Sequence, residues 1–290
     1  LYSGRYKLGL STGIGVKHIV DYSFDFAKNR EQFNKSILRF GMIQKKFSNM
    51  IRLAWESETI AYMTSGSIDY SIEKIDSSDT DYYDFVQKII EDHGLEASIS
   101  KIVGSEALQY GTDQGVQIHG GAGFIEDYKI AGAYRDERIN RIFEGTNEIN
   151  RLIISGSVLK KAILDEIPIR EMIEARKENW IPSNITIDKD LIENCKVVEF
   201  SRSLLMSITN YLIIKYGQDF KNEQWLVEPF SDIVISLSVM DSCLKRFKQI
   251  EIGQVKNDTK DVLDLSIAEH YSSIIIKSKI ILLHVKNENL

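Results

Sequence analysis

Glu144 stands where a carboxylate can do chemistry. Gly145 follows it and frees the backbone, and Thr146 suits the N-cap of a helix running to about residue 163. Such a carboxylate has two readings. It is a candidate general base. Or it only decorates a helix N-terminus, where anions are favoured in any case. Arg30 carries a planar fork that pairs with phosphate oxygens, although a lone arginine on a helix is usually a surface residue. Gly120 and Gly121 permit close backbone approach to a ligand, or stop a helix, or do both. His119 beside them reads as packing or a neutral polar contact. The five histidines show no metal spacing, and Cys195 and Cys243 form no CxxC pair and suggest no disulfide framework. A reducing compartment is the default.

Helices must position these groups. Only three prolines occur, Pro168, Pro182 and Pro229, and long proline-free stretches with helical periodicity argue for an all-α fold. Phe40, Ile43, Phe47, Met50, Ala54 and Ala61 fall on one face of a helix over 40–61. Residues 4–29, 84–118 and 146–163 complete a set of four long helices. SSDTDYY is a polar loop in which Thr80 or Asp81 could cap the next helix. HGGAGF and EGTNE are Gly-containing breaks. Residues 164–186 read as a linker with a short helix. Beyond it, amphipathic segments at about 187–217, 221–250 and 258–285 form a second helical unit over 187–290. Leu205, Ile208, Leu212 and Phe220 read there first as core. Arg135, Asp136, Arg138 and Arg141 form a charged run that reads as salt bridges rather than chemistry.

The chain has 290 residues and a formal net charge of -6, which gives nucleic-acid binding no support from bulk charge. No window reaches the roughly 18 consecutive apolar residues of a membrane span. The closest, SIIIKSKIILLHV, is interrupted by two lysines. The chain opens on LYSGRYKLGL without an initiator Met, as expected of a piece of a longer protein.

RDERINRIFEGTNEINRLI, residues 135–153, resembles the most characteristic signature of the acyl-CoA dehydrogenase family. QIHGGAGFIEDY (117–128) and NREQFNKSILRFGMIQKKFSNM (29–50) resemble two more of its segments, in the right order and at plausible spacing. Together these cover roughly residues 1–160. IIKYGQDFKNEQWLVEPFSDIVISLSVM (213–240) is similar to the extra helical domain of the very-long-chain members. The fold implied for residues 1–163 is the family's C-terminal four-helix bundle. The N-terminal helical domain and middle β-domain would lie upstream, and the piece alone is expected to be inactive.

The resemblance implies a flavin enzyme, with FAD as cofactor, that dehydrogenates a long-chain fatty acyl-CoA in β-oxidation. Glu144 matches the family's catalytic base in the (Y/F)-E-G-T motif, and Gly145 allows the substrate close to the backbone there. Arg5 matches an arginine that contacts the CoA part of the substrate. Arg30 and Phe33 match positions reaching the flavin nucleotide's pyrophosphate across a dimer contact, with Gln32 as a further polar contact. The family has glycine where Asn34 stands. Gln117, Gly120 and Gly121 match a box approaching the adenosine end of the cofactor in a neighbouring subunit, and Thr146 and Glu148 match positions touching the flavin nucleotide. Implied partners are an electron-transfer flavoprotein and a second copy of the chain, with dimer stabilisation or peripheral membrane contact for the C-terminal unit. Bacterial cytoplasm and mitochondrial matrix both fit. Rival readings are an acyl-CoA oxidase or branched-chain dehydrogenase, and a non-catalytic scaffold or assembly protein. A scaffold has no chemical need for Glu144 and intact cofactor boxes.

Overall fold

A computed structural model of the chain describes residues 2–176, 191–250 and 254–287. The chain divides into two compact units, Leu1–Asn147 and Glu148–Leu290. The fold is all-α, as the periodicity predicts, apart from one small hairpin among the described residues.

The first unit is built on α1 (Tyr2–Asn29), α2 (Gly41–Ile72) and α4 (Gly94–His119), with shorter helices α3 (Tyr82–Asp92), α5 (Gly121–Phe124) and α6 (Lys129–Glu137). Its core gathers Val16, Ile19, Phe47, Met50, Ala107, Ile118 and Ile130. The face expected of α2 is the one that packs, with Phe47, Met50, Ala54 and Ala61 all buried.

Helices α1 and α4 touch along their backbones. A Cβ placed on Gly9 would lie 2.4 Å from the Ser100 carbonyl oxygen, and one on Gly104 would lie 2.5 Å from the Gly9 oxygen. No side chain fits between them. This close approach draws the start of α1 against the first turns of α4.

The single helix expected over 84–118 is two. His93 leaves helical geometry at φ -90°, ψ 19°, and its Nδ1 lies 2.8 Å from the Ile89 carbonyl. The tight fit of Gly94 under the Tyr2 ring fixes the break. Asp81 does occupy the N-cap of α3, but its side chain makes no cap hydrogen bond. The loop is held instead by Asp76 and Asp79, whose carboxylates accept from the backbone N–H groups of Ser78 and Asp81, both at 2.9 Å.

Strands β1 (Glu31–Gln32) and β2 (Lys35–Ser36) form an antiparallel hairpin in the R-x-x-F segment. Its two turn residues have φ of 53° at Phe33 and 63° at Asn34, the pattern of a type I′ turn. Asn34 therefore satisfies the conformational demand that glycine meets in the family pattern, since Asn tolerates the left-handed region. Phe33 holds its left-handed φ without that tolerance.

The second unit comprises α7 (Asn147–Ile163) beyond its first residue, α8 (Ile169–Glu174), α9 (Ile192–Tyr216), α10 (Gln224–Gln249) and α11 (Gln254–Asn287). From Glu148 on, helix α7 has contacts within this unit. Arg151 Nε donates to Asp232 Oδ1 at 2.8 Å, and Ser231 Oγ donates to the Arg151 carbonyl at 2.8 Å. The short helix expected in the linker is α8, whose Ile169 packs with Ala162 and Met206. The rest of that linker, residues 177–186, lies outside the described residues. Ile208, Leu212 and Phe220 are buried as expected, while Leu205 is half-buried.

Among the described residues, one helical stretch, Ile192–Asn222, is long and apolar enough to cross a membrane by length and composition. It also carries charged groups paired with its neighbours in the fold. Arg202 Nη2 donates to Asp241 at 2.8 Å, and Arg176 Nη2 lies 3.1 Å from Glu199. Burial would raise the Asp241 carboxyl, but the Lys245 hydrogen bond and Arg202 outweigh it and hold its pKa low.

Two alanine substitutions test the packing argument in opposite directions. Gly104→Ala puts a methyl against backbone and should destabilise by about 1–3 kcal/mol. Gly66→Ala, in an exposed helix interior with nothing within 4 Å, should stabilise by about 0.5–1 kcal/mol. Urea unfolding followed by circular dichroism measures both.

Candidate active site

Glu144 lies in a turn between a short 3-10 segment, Arg138–Arg141, and the start of α7. Its φ is 59° and that of Gly145 is 83°. Two successive left-handed residues make this turn sharp, and at Glu144 the conformation costs on the order of 1 kcal/mol or more. The glycine is legible in sequence. The matching strain at Glu144 is not.

Two groups of α1 hold the turn. Arg5 is buried and its Nε donates to the Glu144 carbonyl at 3.0 Å. Its Nη1 reaches Ser98 Oγ of α4 at 3.4 Å, and its Cζ lies 5.2 Å from the centroid of the Tyr2 ring. Arg5, matched in sequence to a substrate contact, thus has its guanidinium directed at the turn. Its neighbour Gly4 lies beneath the carboxylate, where a Cβ would stand 2.6 Å from Glu144 Oε1. The absent side chain leaves the carboxylate its place. Gly4 carries no signal in the sequence motifs; only the packing reveals it.

Glu144 Oε2 is buried and has no hydrogen-bond partner. A buried polar atom left unpaired is costly and rare. On a carboxylate, it leaves a lone pair shielded from water and available to a proton. That is what a base for a weak carbon acid requires.

The cofactor-type residues mostly lie on the surface of the first unit. Arg30 follows α1 and shares a cavity of about 410 Å³ with Tyr22, Asp25, Phe26, Asn29 and His119. The folding of α1 against the end of α4 thus brings the arginine box and the glycine box together. Gly120, with φ 60°, ends α4, and neither it nor Gly121 has anything within 4 Å of an added Cβ. Their backbone is open to a ligand. Gly123 differs, because its Cβ would meet the Val116 oxygen at 2.6 Å, so it is required by packing. Gln32 and Gln117 are exposed, and Phe33 is 85% exposed, meeting Phe40 edge-on. An exposed arginine fork, an open glycine backbone and an uncovered aromatic ring suit a flavin nucleotide. Thr146 is half-buried just before α7. Glu148 is exposed and, in the second unit, lines a separate cavity of about 410 Å³ with Arg151 and Trp225. Among the described residues, no group of His, Cys, Asp and Glu could hold a metal ion.

His119 is buried between aromatic rings, 5.0 Å from that of Tyr22 and 4.2 Å from that of Phe26. Its Nδ1 lies 2.8 Å from the Gly115 carbonyl and Nε2 has no partner. Burial lowers its pKa against the opposing effect of the Gly115 bond. This is the packed, neutral histidine that its sequence position suggests. Two members of the charged run form ion pairs. Arg135 pairs with Glu126, and Arg141 with Glu137 at 3.3 Å. Burial raises the Glu137 carboxyl, partly offset by Arg141 and Arg138.

Comparison with known proteins shows the family. The family model described as "Acyl-CoA dehydrogenase, C-terminal domain" matches residues 1–159. A probable acyl-CoA dehydrogenase of Bacillus subtilis is 34% identical over 257 residues, covering 87% of this chain and 43% of that protein. The mitochondrial very long-chain specific acyl-CoA dehydrogenase of Bos taurus is 30% identical over 266 residues, covering 85% and 38%. The crystal structure of an acyl-CoA dehydrogenase complexed with FAD from Bacillus anthracis superimposes with a TM-score of 0.90 at 33% identity, covering 97% of this chain and 49% of that one. The chain thus spans less than half the length of these relatives.

His119 also predicts a pH effect. Its folded pKa lies below the ordinary value of 6.5, so the unfolded chain takes up the proton first as pH falls. Stability should therefore drop as pH goes down through about 6.5 towards the lowered folded value. The slope should shrink in His119→Gln, measured by urea unfolding at a series of pH values.

Proposed function

This chain belongs to the acyl-CoA dehydrogenase family, and from that premise we propose that it supplies the catalytic base for α,β-dehydrogenation of a long-chain fatty acyl-CoA to the trans-2-enoyl-CoA. The observation that carries the reading is the buried, unpartnered Glu144 Oε2, standing over Gly4 in a strained turn.

The family uses FAD, which would accept the hydride leaving the substrate's β carbon. Glu144 takes the α proton onto its carboxylate, and the C–H electron pair becomes part of the new double bond. The Glu144 backbone N–H donates to the thioester carbonyl as enolate charge develops. Gly145 lets that carbonyl approach the backbone. Arg5 holds the turn through the Glu144 carbonyl, which keeps base and donor in one geometry.

Arg30 would pair with the cofactor's pyrophosphate, with Gln32 and Phe33 beside it. Gln117, Gly120 and Gly121 would hold the adenosine end, and Thr146 and Glu148 would contact the flavin nucleotide. The surface position of Arg30, Phe33 and the two glycines supports a site completed by a second copy of the chain. The long-chain preference is supported by the extent of the likeness to the Bos taurus enzyme, which continues well past residue 159 into the second unit. Reduced cofactor would pass electrons to an electron-transfer flavoprotein.

The test uses the intact flavoprotein that carries this chain, titrated anaerobically with palmitoyl-CoA while the flavin absorption is followed. Rapid bleaching is expected, reduced by at least about a hundredfold in Glu144→Gln with flavin and ligand still bound. Gly4→Ala, which displaces the carboxylate, should slow bleaching by about tenfold or more. Equal bleaching in wild type and Glu144→Gln removes Glu144 from the mechanism. No bleaching with short, long or branched acyl-CoA rejects the dehydrogenase reading.

A further inference from the structure

Lys101 is fully buried, at 0% exposure, in the middle of α4. An ammonium group is placed there only at a cost that specific partners must offset. Its Nζ donates to Asn147 Oδ1 at 2.6 Å. Asn147, also buried, is the first residue of α7 and the third after Glu144. Its amide is engaged on both sides. Nδ2 donates to Glu106 Oε1 at 3.0 Å and lies 3.2 Å from Ser105 Oγ. These bonds leave Asn147 a single orientation.

The groups on α4 share a pattern. Ser98, Lys101 and Ser105 are spaced at i, i+3 and i+7, which is one face of a helix. All three are buried. Ser98 steadies Arg5, which grips the Glu144 carbonyl, and Lys101 and Ser105 grip Asn147. One polar stripe inside the bundle therefore anchors both sides of the turn. The turn needs such anchoring, because Glu144 is left-handed without being glycine.

We propose that Lys101 is a positioning residue that, by clamping Asn147 from α4, sets where the Glu144 carboxylate stands. The inference rests on the reading of Glu144 as the base, but its geometry and its first test do not. Lys101 touches no reacting atom. Its removal takes the shortest bond from Asn147 Oδ1, leaves Asn147 held only through Glu106 and Ser105, and lets the turn relax from the left-handed geometry.

Amide hydrogen exchange and flavin reduction test this together. Lys101→Met keeps the length of the side chain and removes its donors. In the chain itself, amides of 144–147 should exchange about tenfold faster or more, while the α1–α2 core keeps its protection. In the intact flavoprotein, the rate of flavin reduction at saturating acyl-CoA should fall by about tenfold to a hundredfold, with substrate affinity within about threefold of wild type. Unchanged exchange at the turn overturns the proposal. So does acceleration spread evenly over the first unit, which marks a purely structural lysine. If Lys101→Met does not fold, the wild-type chain decides. Amides of 144–147 should then open together with those of 101–106, and turn amides exchanging about a hundredfold faster than that α4 segment overturn the clamp. Absence of bleaching in wild type speaks against the dehydrogenase reading alone and leaves the exchange result standing.

Discussion

The contact on which the rest of the first unit depends is the backbone approach of α1 to α4. Gly9 and Gly104 leave no room for a side chain between the helices, so the two lie closer than aliphatic packing permits. That closeness puts Gly4 under the Glu144 carboxylate, Arg5 within reach of both Ser98 and the Glu144 carbonyl, and Tyr2 over Gly94. A bundle of the same helices spaced by leucines would place Arg5 too far out to hold the turn. The same rigidity lets a strained residue persist, because a left-handed glutamate is stable only where its surroundings leave it no alternative.

The first unit separates two sets of residues. Inside it, buried Arg5 bonds Ser98 and the Glu144 carbonyl, and buried Lys101 and Ser105 bond buried Asn147, on the two sides of one turn. Outside it, Arg30, Gln32, Phe33, Gln117, Gly120 and Gly121 are exposed. The inner set holds one turn, and the outer set is open to solvent. Phe33 is the clearest case, since a phenyl ring 85% exposed on a strained hairpin tip contributes little to the fold that holds it.

The second unit shows a different economy of charge. Its helices carry ion pairs between neighbours, Arg151 with Asp232, Arg176 with Glu199 and Arg202 with Asp241. Such pairs bring specificity of helix register more than net stability, because desolvation offsets much of their attraction. The unit contributes α7, and so the chain leaves the Glu144 turn directly into it.

The sequence by itself determined the helical class, the long helices, the buried face of α2 and the residue types of the candidate site. Those features are local. Hydrophobic periodicity, scarce proline, glycine punctuation and three ordered motifs record them along the chain. It did not determine the break at His93 or the left-handed backbone at Glu144. Nor did it mark Gly4 and Lys101, which belong to no motif and look like an ordinary glycine and an ordinary surface lysine. Each of these sits against groups far away in sequence: Gly94 under Tyr2, the Glu144 carbonyl on Arg5, Gly4 under the Glu144 carboxylate, Lys101 on Asn147. Periodicity reports which face of a helix is apolar, but which helix meets that face, and how closely, is a property only of the packed chain.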